Sequence, residues 1–126
     1  MKVLVFATFA ALVVAAACQK YTTKYDNVDL DQIIKSDRLM KNYVDCLLDR
    51  GKCTPDGQEL KKNIADALQT DCSKCSETQK DGSKKILKHL VKDKRPWFDE
   101  LAAKYDPSNA YRERNKEEFA KEGITL

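Results

Sequence analysis

Four cysteines and a single histidine are the residues beyond position 18 whose types and spacing could do chemistry in this 126-residue chain. The cysteines have six, eighteen and two residues between them, at Cys46, Cys53, Cys72 and Cys75. Such a set could form a zinc site, a redox centre or two disulfides. The first interval is too wide for a zinc knuckle, and His89 is the only histidine, so we expect no metal and no cofactor.

The first eighteen residues indicate the compartment. Lys2 is followed by an unbroken run of apolar and small residues, which is typical of a secretory signal peptide over residues 1–18. A membrane span is less favoured, because small alanines follow Val14 and no basic stop-transfer cluster comes next. Cleavage is possible after Ala17 or Cys18, and we favour the second. The mature chain, residues 19–126, is then one secreted domain.

Export favours a structural role for the four remaining cysteines. Three disulfide connectivities are possible, and pairing Cys46 with Cys53 and Cys72 with Cys75 needs no long-range assumption. We therefore favour this local pairing. The sequence from Cys72 to Cys75 is also a C-x-x-C ahead of a predicted helix, whose N-terminus would lower a thiol pKa. A thiol–disulfide oxidoreductase is thus the enzymatic alternative, although the strand pattern of a thioredoxin-like fold is missing.

Other enzyme classes find little support. His89 lies in a lysine-rich stretch, so we expect it at the surface or at the rim of the core. A histidine in that position is a poor candidate for the base that activates a nucleophile. The sequence has no phosphate-binding loop and no nucleotide fingerprint. Without Lys2, 22 basic and 20 acidic side chains remain, well mixed along the chain, which implies no nucleic-acid partner. We expect a protein that is not an enzyme.

The apolar periodicity predicts an all-α fold of about six short helices. Asn27 or Asp29 is expected to cap the first. The clearest stripe belongs to the second, which we expect Asp37 to cap and Gly51 to end. Its apolar residues recur at three- and four-residue steps and are Leu39, Met40, Tyr43, Val44, Leu47 and Leu48.

The remaining helices follow from turn residues. Thr54 and Pro55 open the third in the order that proline tolerates. The fourth starts at Ser76 or Gly82, and Arg95-Pro96 separates it from an aromatic fifth helix. A mostly charged sixth helix, residues 108–122, should lie on the outside.

A stapled helical domain with this composition can hold an apolar molecule. Its aliphatic and aromatic side chains could line a pocket, with the hydroxyls of Tyr25 and Tyr43 as polar groups, or they could simply fill a core. The basic residues 84–94 leave open a third function, a membrane-interacting or otherwise non-ligand secreted helical protein.

Several motifs together resemble the insect chemosensory proteins, the olfactory-segment-D type. Besides the cysteine spacing, residues 21–31 (YTTKYDNVDLD) resemble the opening signature of that family, and residues 43–48 (YVDCLL) its second helix. Residues 51–57 (GKCTPDG) resemble the loop that follows, and residues 104–107 (KYDP) a late signature. The resemblance covers the whole mature chain.

This resemblance implies six helices around an apolar channel, with local disulfides. It also implies a monomeric carrier of odorants, pheromones or other small hydrophobic compounds, including fatty alcohols and acids, in an extracellular fluid such as sensillar lymph or haemolymph; no receptor can be named. Trp97 and Phe98 directly follow Pro96, where many relatives insert a residue, so either ring could face the ligand. The expected ligand-binding residues are Tyr25, Leu39, Tyr43, Leu47, Ile64, Leu68, Leu87, Leu90, Trp97 and Phe98.

Overall fold

A computed structural model describes residues 20–126, and the predicted signal peptide lies outside this part of the chain. The described residues form helices and turns without a strand, so the predicted all-α fold is confirmed. No helix within residues 20–126 is long and apolar enough to cross a membrane. The six helices are α1 (Leu30–Lys35), α2 (Asp37–Leu47), α3 (Pro55–Gln69), α4 (Glu77–Asp93), α5 (Arg95–Tyr105) and α6 (Ala110–Lys121).

Short polar side chains begin the first two helices. The Asp29 carboxylate accepts from the Gln32 amide at 3.2 Å and caps α1. Ser36 caps α2 by accepting from the Leu39 amide at 3.2 Å, so the expectation that Asp37 is the cap is wrong. Asp37 is instead the first residue of α2, where its carboxylate faces the positive end of the helix dipole.

Helix α2 ends at Leu47, earlier than expected from Gly51. The chain turns at Asp49, whose φ of 60° is left-handed, a conformation that aspartate tolerates better than most residues. The amines of Lys104 and Lys61 bind the Asp49 carboxylate and lower its pKa to about 2. The turn after α2 is thus formed at Asp49, whose carboxylate binds lysines of α3 and α5, and not at Gly51 as predicted.

The next two helices begin as proposed at Thr54 and Ser76. The Thr54 hydroxyl accepts from the Gly57 amide ahead of Pro55. Ser76 and Gln79 form a reciprocal capping box at the start of α4. Gly82 therefore lies inside α4, and the alternative start there is wrong. A Cβ at Gly82 would approach Leu30 Cδ1 to 2.7 Å, so this glycine lets α1 pack closely on α4.

The buried core lies between α1, α2, α4, α5 and α6. Phe119 of α6 and Ile124 beyond it complete the core, and Phe119 is the buried residue of an otherwise charged α6. The core cluster consists of Ile33, Met40, Val44, Leu90, Val91, Phe98, Ala102, Phe119 and Ile124.

Both disulfides join the neighbouring cysteines, which confirms the local pairing. Cys46 bonds Cys53, and Cys72 bonds Cys75, with Cα atoms 5.0 and 5.1 Å apart. The first bond fixes the α2–α3 turn and the second closes the loop between α3 and α4.

Candidate ligand-binding site

Helix α3 presents an apolar stripe that the core does not cover. Leu60, Ile64 and Leu68 follow one another at helical spacing on one face. Leu60 is 47% exposed, and Ile64 and Leu68 are half-buried. Within residues 20–126, none of the three belongs to the core cluster or to the side chains packed against it. This apolar face therefore keeps part of its surface accessible and lies outside the core cluster.

Polar contacts hold α3 in place around this stripe. Tyr43 of α2 donates its hydroxyl proton to Asp56 in the first turn of α3, and Tyr21 donates to Asp66. At the C-terminal end, the Arg114 guanidinium of α6 donates to the Leu68 carbonyl at 2.7 Å. These polar contacts fix the position of α3, and none of them involves the apolar side chains of the stripe.

The predicted ligand-binding residues divide into two groups by burial. Leu47, Leu90 and Phe98 are buried, and the last two belong to the core cluster. The others keep part of their surface accessible. These half-buried residues are Tyr25, Leu39, Tyr43, Ile64, Leu68, Leu87 and Trp97. The structure brings Leu39, Tyr43, Leu87 and Trp97 against the core cluster.

The two adjacent rings of α5 have different environments. Phe98 is 6% exposed in the core cluster, whereas Trp97 is half-buried at its edge. The Lys94 amine lies 5.3 Å from the centre of the Trp97 ring. Trp97 therefore combines an apolar contact with access to solvent, which makes it the better spectroscopic reporter of a bound apolar molecule.

The Tyr43 hydroxyl, a predicted polar group of the pocket, already has a partner. Burial raises its pKa, and its hydrogen bond to the Asp56 carboxylate raises it further. Burial alone would raise the pKa of the Asp56 carboxyl. Hydrogen bonds from the hydroxyls of Thr54 and Tyr43 outweigh this effect and keep the pKa below its usual value. Tyr43 is thus a neutral group beside a negative charge.

His89 is half-buried, which agrees with the expected position at the rim of the core. Its side chain is only 12% exposed, and Nδ1 lies 3.2 Å from an Asp93 carboxylate oxygen one turn later. Nε2 is buried and has no hydrogen-bond partner among the described residues. The sequence signal for this placement is its position directly before Leu90, a residue of the apolar stripe of α4.

A separate polar cavity of about 310 Å³ lies along the polar flank of α3. Residues 20–22, the N-terminal strap, cover it, with the Tyr21 amide donating to the Lys74 carbonyl at 3.0 Å. None of the predicted ligand-binding residues lines this cavity. Its walls are formed by Lys20, Tyr21, Thr22, Glu59, Lys62, Asn63, Asp66 and Lys74.

The second cysteine pair forms a disulfide in the loop before α4. Cys75 is buried, and Cys72 adopts a left-handed φ of 63° in the loop. Ser76, and not a cysteine, is the N-cap residue of α4, and Cys72 lies four residues before it, bonded to Cys75. In residues 20–126, no group of three or more His, Cys, Asp or Glu side chains could hold a metal ion.

Comparison with known proteins identifies the family. The model of the insect pheromone-binding family A10/OS-D matches residues 21–113, which is most of the described chain. The protein therefore belongs to this family, and the resemblance seen in its sequence is confirmed.

Two curated relatives match almost the whole chain. Ejaculatory bulb-specific protein 3 of Drosophila melanogaster is 48% identical over 126 residues and covers 100% of both chains. Allergen Tha p 1 of Thaumetopoea pityocampa is 50% identical over 118 residues, 93% of this chain and 94% of its own. Among solved structures, a chemosensory protein in complex with bromo-dodecanol superposes with a TM-score of 0.75 at 43% identity, over 79% of this chain and 99% of its own.

Proposed function

We propose that the protein is a secreted, monomeric carrier of small hydrophobic molecules, such as long-chain alcohols, fatty acids or other semiochemicals. The observation that carries this proposal is the apolar stripe of α3, whose half-buried Ile64 and Leu68 do not pack on the core cluster. A flexible alkyl chain is the kind of molecule that can occupy such a surface.

The mechanism is partition from water. Each Å² of apolar surface removed from water contributes about 25 cal/mol, so a long alkyl chain can bind without a specific polar contact. The walls are the half-buried residues Tyr25, Leu39, Tyr43, Ile64, Leu68, Leu87 and Trp97, backed by the buried Leu47, Leu90 and Phe98. The solved relative that holds bromo-dodecanol supports this class of ligand.

The test uses Trp97, the single tryptophan of the chain. Titration of the protein with dodecanol should change the tryptophan emission and displace a bound apolar dye. Flat emission together with no displacement across a panel of alcohols, fatty acids and esters would contradict the proposal.

A matched pair of variants locates the site on α3. Ile64→Gln places a polar group in the apolar stripe and should weaken dodecanol binding about tenfold, equivalent to about 1.4 kcal/mol. Lys62→Gln changes the exposed flank of the same helix and should leave binding unchanged. Equal affinities of both variants and the unmodified protein would place the ligand elsewhere.

A further inference from the structure

The polar cavity beside α3 lies on the side of the helix away from the apolar stripe. Four of its eight wall residues belong to α3, and these are Glu59, Lys62, Asn63 and Asp66. At about 100° per residue, the middle of this set lies about 150° around the helix from Ile64, the middle of the stripe. The volume of about 310 Å³ is enough for a small organic molecule. The cavity is therefore a second space, separate from the proposed hydrophobic site.

One of the two carboxylates in the cavity walls is already balanced by its neighbours. Asp66 accepts a hydrogen bond from the Tyr21 hydroxyl and pairs with the Lys74 amine at 3.2 Å. The other carboxylate, Glu59, accepts from the Asn63 side-chain amide at 3.0 Å. An amide is a neutral donor, so it leaves the negative charge of Glu59 in place. Glu59 is thus the one unbalanced anion of the cavity walls.

Two of the three lysines in the walls carry a positive charge that no carboxylate in the described chain balances. The Lys20 amine donates to the Ser73 carbonyl at 3.1 Å, which is a neutral acceptor. Lys62 has neither an ion-pair partner nor a hydrogen-bond partner among residues 20–126. Together with Glu59, these two amines leave the cavity with one net positive charge. Both lysine side chains are exposed, so an anion can reach them from solvent.

We propose that this cavity binds a small, polar organic anion with a single negative charge, such as a hydroxy acid. Lys20 and Lys62 supply charge-assisted hydrogen bonds to the carboxylate. The Thr22 oxygen already accepts from the Lys24 amide at 3.3 Å, so its proton is available to the ligand. Glu59 accepts from a hydroxyl group of the ligand and disfavours a second negative charge. This site goes beyond the proposed carrier function and does not depend on it.

The first test compares gluconate with sorbitol by calorimetric titration. The two molecules share a six-carbon polyhydroxy chain and differ in the carboxylate. The unmodified protein should bind gluconate about tenfold more tightly, because hydrogen bonds to a charged group are stronger than those between neutral groups. Added salt should weaken the binding of gluconate but not that of sorbitol. Equal affinities for the two molecules, or no binding of gluconate, would overturn the proposal.

Three variants separate this site from a general attraction of anions to lysines. Lys62→Gln should weaken gluconate binding about three- to fivefold, the upper range for charge pairs exposed to solvent. Glu59→Gln removes the repelling carboxylate, keeps an acceptor for Asn63 and should strengthen binding about twofold. The control Lys88→Gln removes an exposed lysine of α4 outside the cavity and should leave binding unchanged. Equal weakening in Lys62→Gln and Lys88→Gln would show an adventitious ion only and overturn the proposal.

A cross-comparison with dodecanol tests whether the two sites are separate. Ile64→Gln changes the opposite face of α3, so its gluconate affinity should stay the same while its dodecanol affinity falls. Lys62→Gln should show the reverse pattern. Loss of both ligands in either variant would place them in one site and overturn the proposal. The gluconate measurements do not require dodecanol binding, so failure of the carrier function and failure of this second site are distinguishable.

Discussion

Helices α2 and α3 are both amphipathic, yet they use their apolar faces differently. The eleven residues of α2 bury Met40, Val44, Cys46 and Leu47. The fifteen residues of α3, all described in the structure, bury only Gly57. The comparison shows that an apolar stripe does not by itself bury a helix face in the core. Whether another surface meets that face depends on how the neighbouring helices are placed.

The largest expected effect on stability comes from a substitution in the core that α2 helps to form. Met40 is 2% exposed in the core cluster, so Met40→Ala leaves a cavity and should lower the free energy of unfolding by about 3 kcal/mol. Urea denaturation followed by circular dichroism measures it. A loss below about 1 kcal/mol would show that the region around α2 is as loosely filled as the region in front of α3.

The second prediction concerns Asp106, a buried carboxylate that binds the first turn of α6. This carboxylate is 7% exposed and accepts from the amides of Tyr111 and Arg112 and from the Arg112 guanidinium, at 3.0, 3.2 and 2.9 Å. Asp106→Ala leaves those donors without their acceptor and should cost about 2 kcal/mol. Asp106→Asn keeps an acceptor oxygen and should cost less. Equal stability of the alanine variant and the unmodified protein in urea would show that solvent replaces these contacts.

The same residue predicts an acid dependence. Burial alone would raise the pKa of Asp106, but hydrogen bonds from Tyr111 and Arg112 outweigh it and hold the pKa below its usual value of 3.8. The contribution to stability is therefore present above that value and lost as the pH falls through the folded pKa. Urea midpoints measured from pH 5 downward should fall less steeply in Asp106→Asn.

Ile64→Ala makes the corresponding truncation in the apolar stripe of α3. Ile64 is half-buried and does not pack on the core cluster, so its truncation should cost only about 1 kcal/mol in the absence of ligand. With saturating dodecanol, the difference from the unmodified protein should grow, because ligand binding stabilises the folded state less in the variant. Thermal unfolding with and without dodecanol measures both values. A loss as large as that of Met40→Ala would mean that the stripe of α3 is part of a closed core.

The sequence predicted the helices and their order because apolar periodicity, capping serines and threonines, and prolines act locally. It also favoured the correct disulfides, since those loops are short. It misplaced the end of α2, because two lysines distant in sequence stabilise the left-handed Asp49. It did not separate the expected ligand-binding residues that join the core cluster, Leu90 and Phe98, from those that stay outside it, Ile64 and Leu68. Contacts between elements, not patterns within them, determine the site.

The smallest expected effect on stability concerns the polar contacts that attach α3 to the rest of the protein. Tyr21 of the N-terminal strap donates to Asp66, and Lys74 pairs with the same carboxylate at 3.2 Å. Tyr21→Phe removes one of these bonds at a half-buried site, so we expect a loss of less than about 1 kcal/mol in urea denaturation. Ligand affinity should stay the same, because the strap lies on the polar flank of α3.

An alkaline titration sharpens this last prediction. Burial, followed by the hydrogen bond to Asp66, raises the pKa of Tyr21 to about 12. A raised pKa means that the protonated hydroxyl stabilises the fold below the usual value of 10.0, and that this contribution disappears as the pH rises through about 12. The unmodified protein should therefore lose its small advantage over Tyr21→Phe across that range. A constant difference would show that the strap is held by its backbone bond to Lys74 and not by the tyrosine hydroxyl. The polar attachment of α3 would then depend mainly on Asp56 and Arg114, at the two ends of the helix.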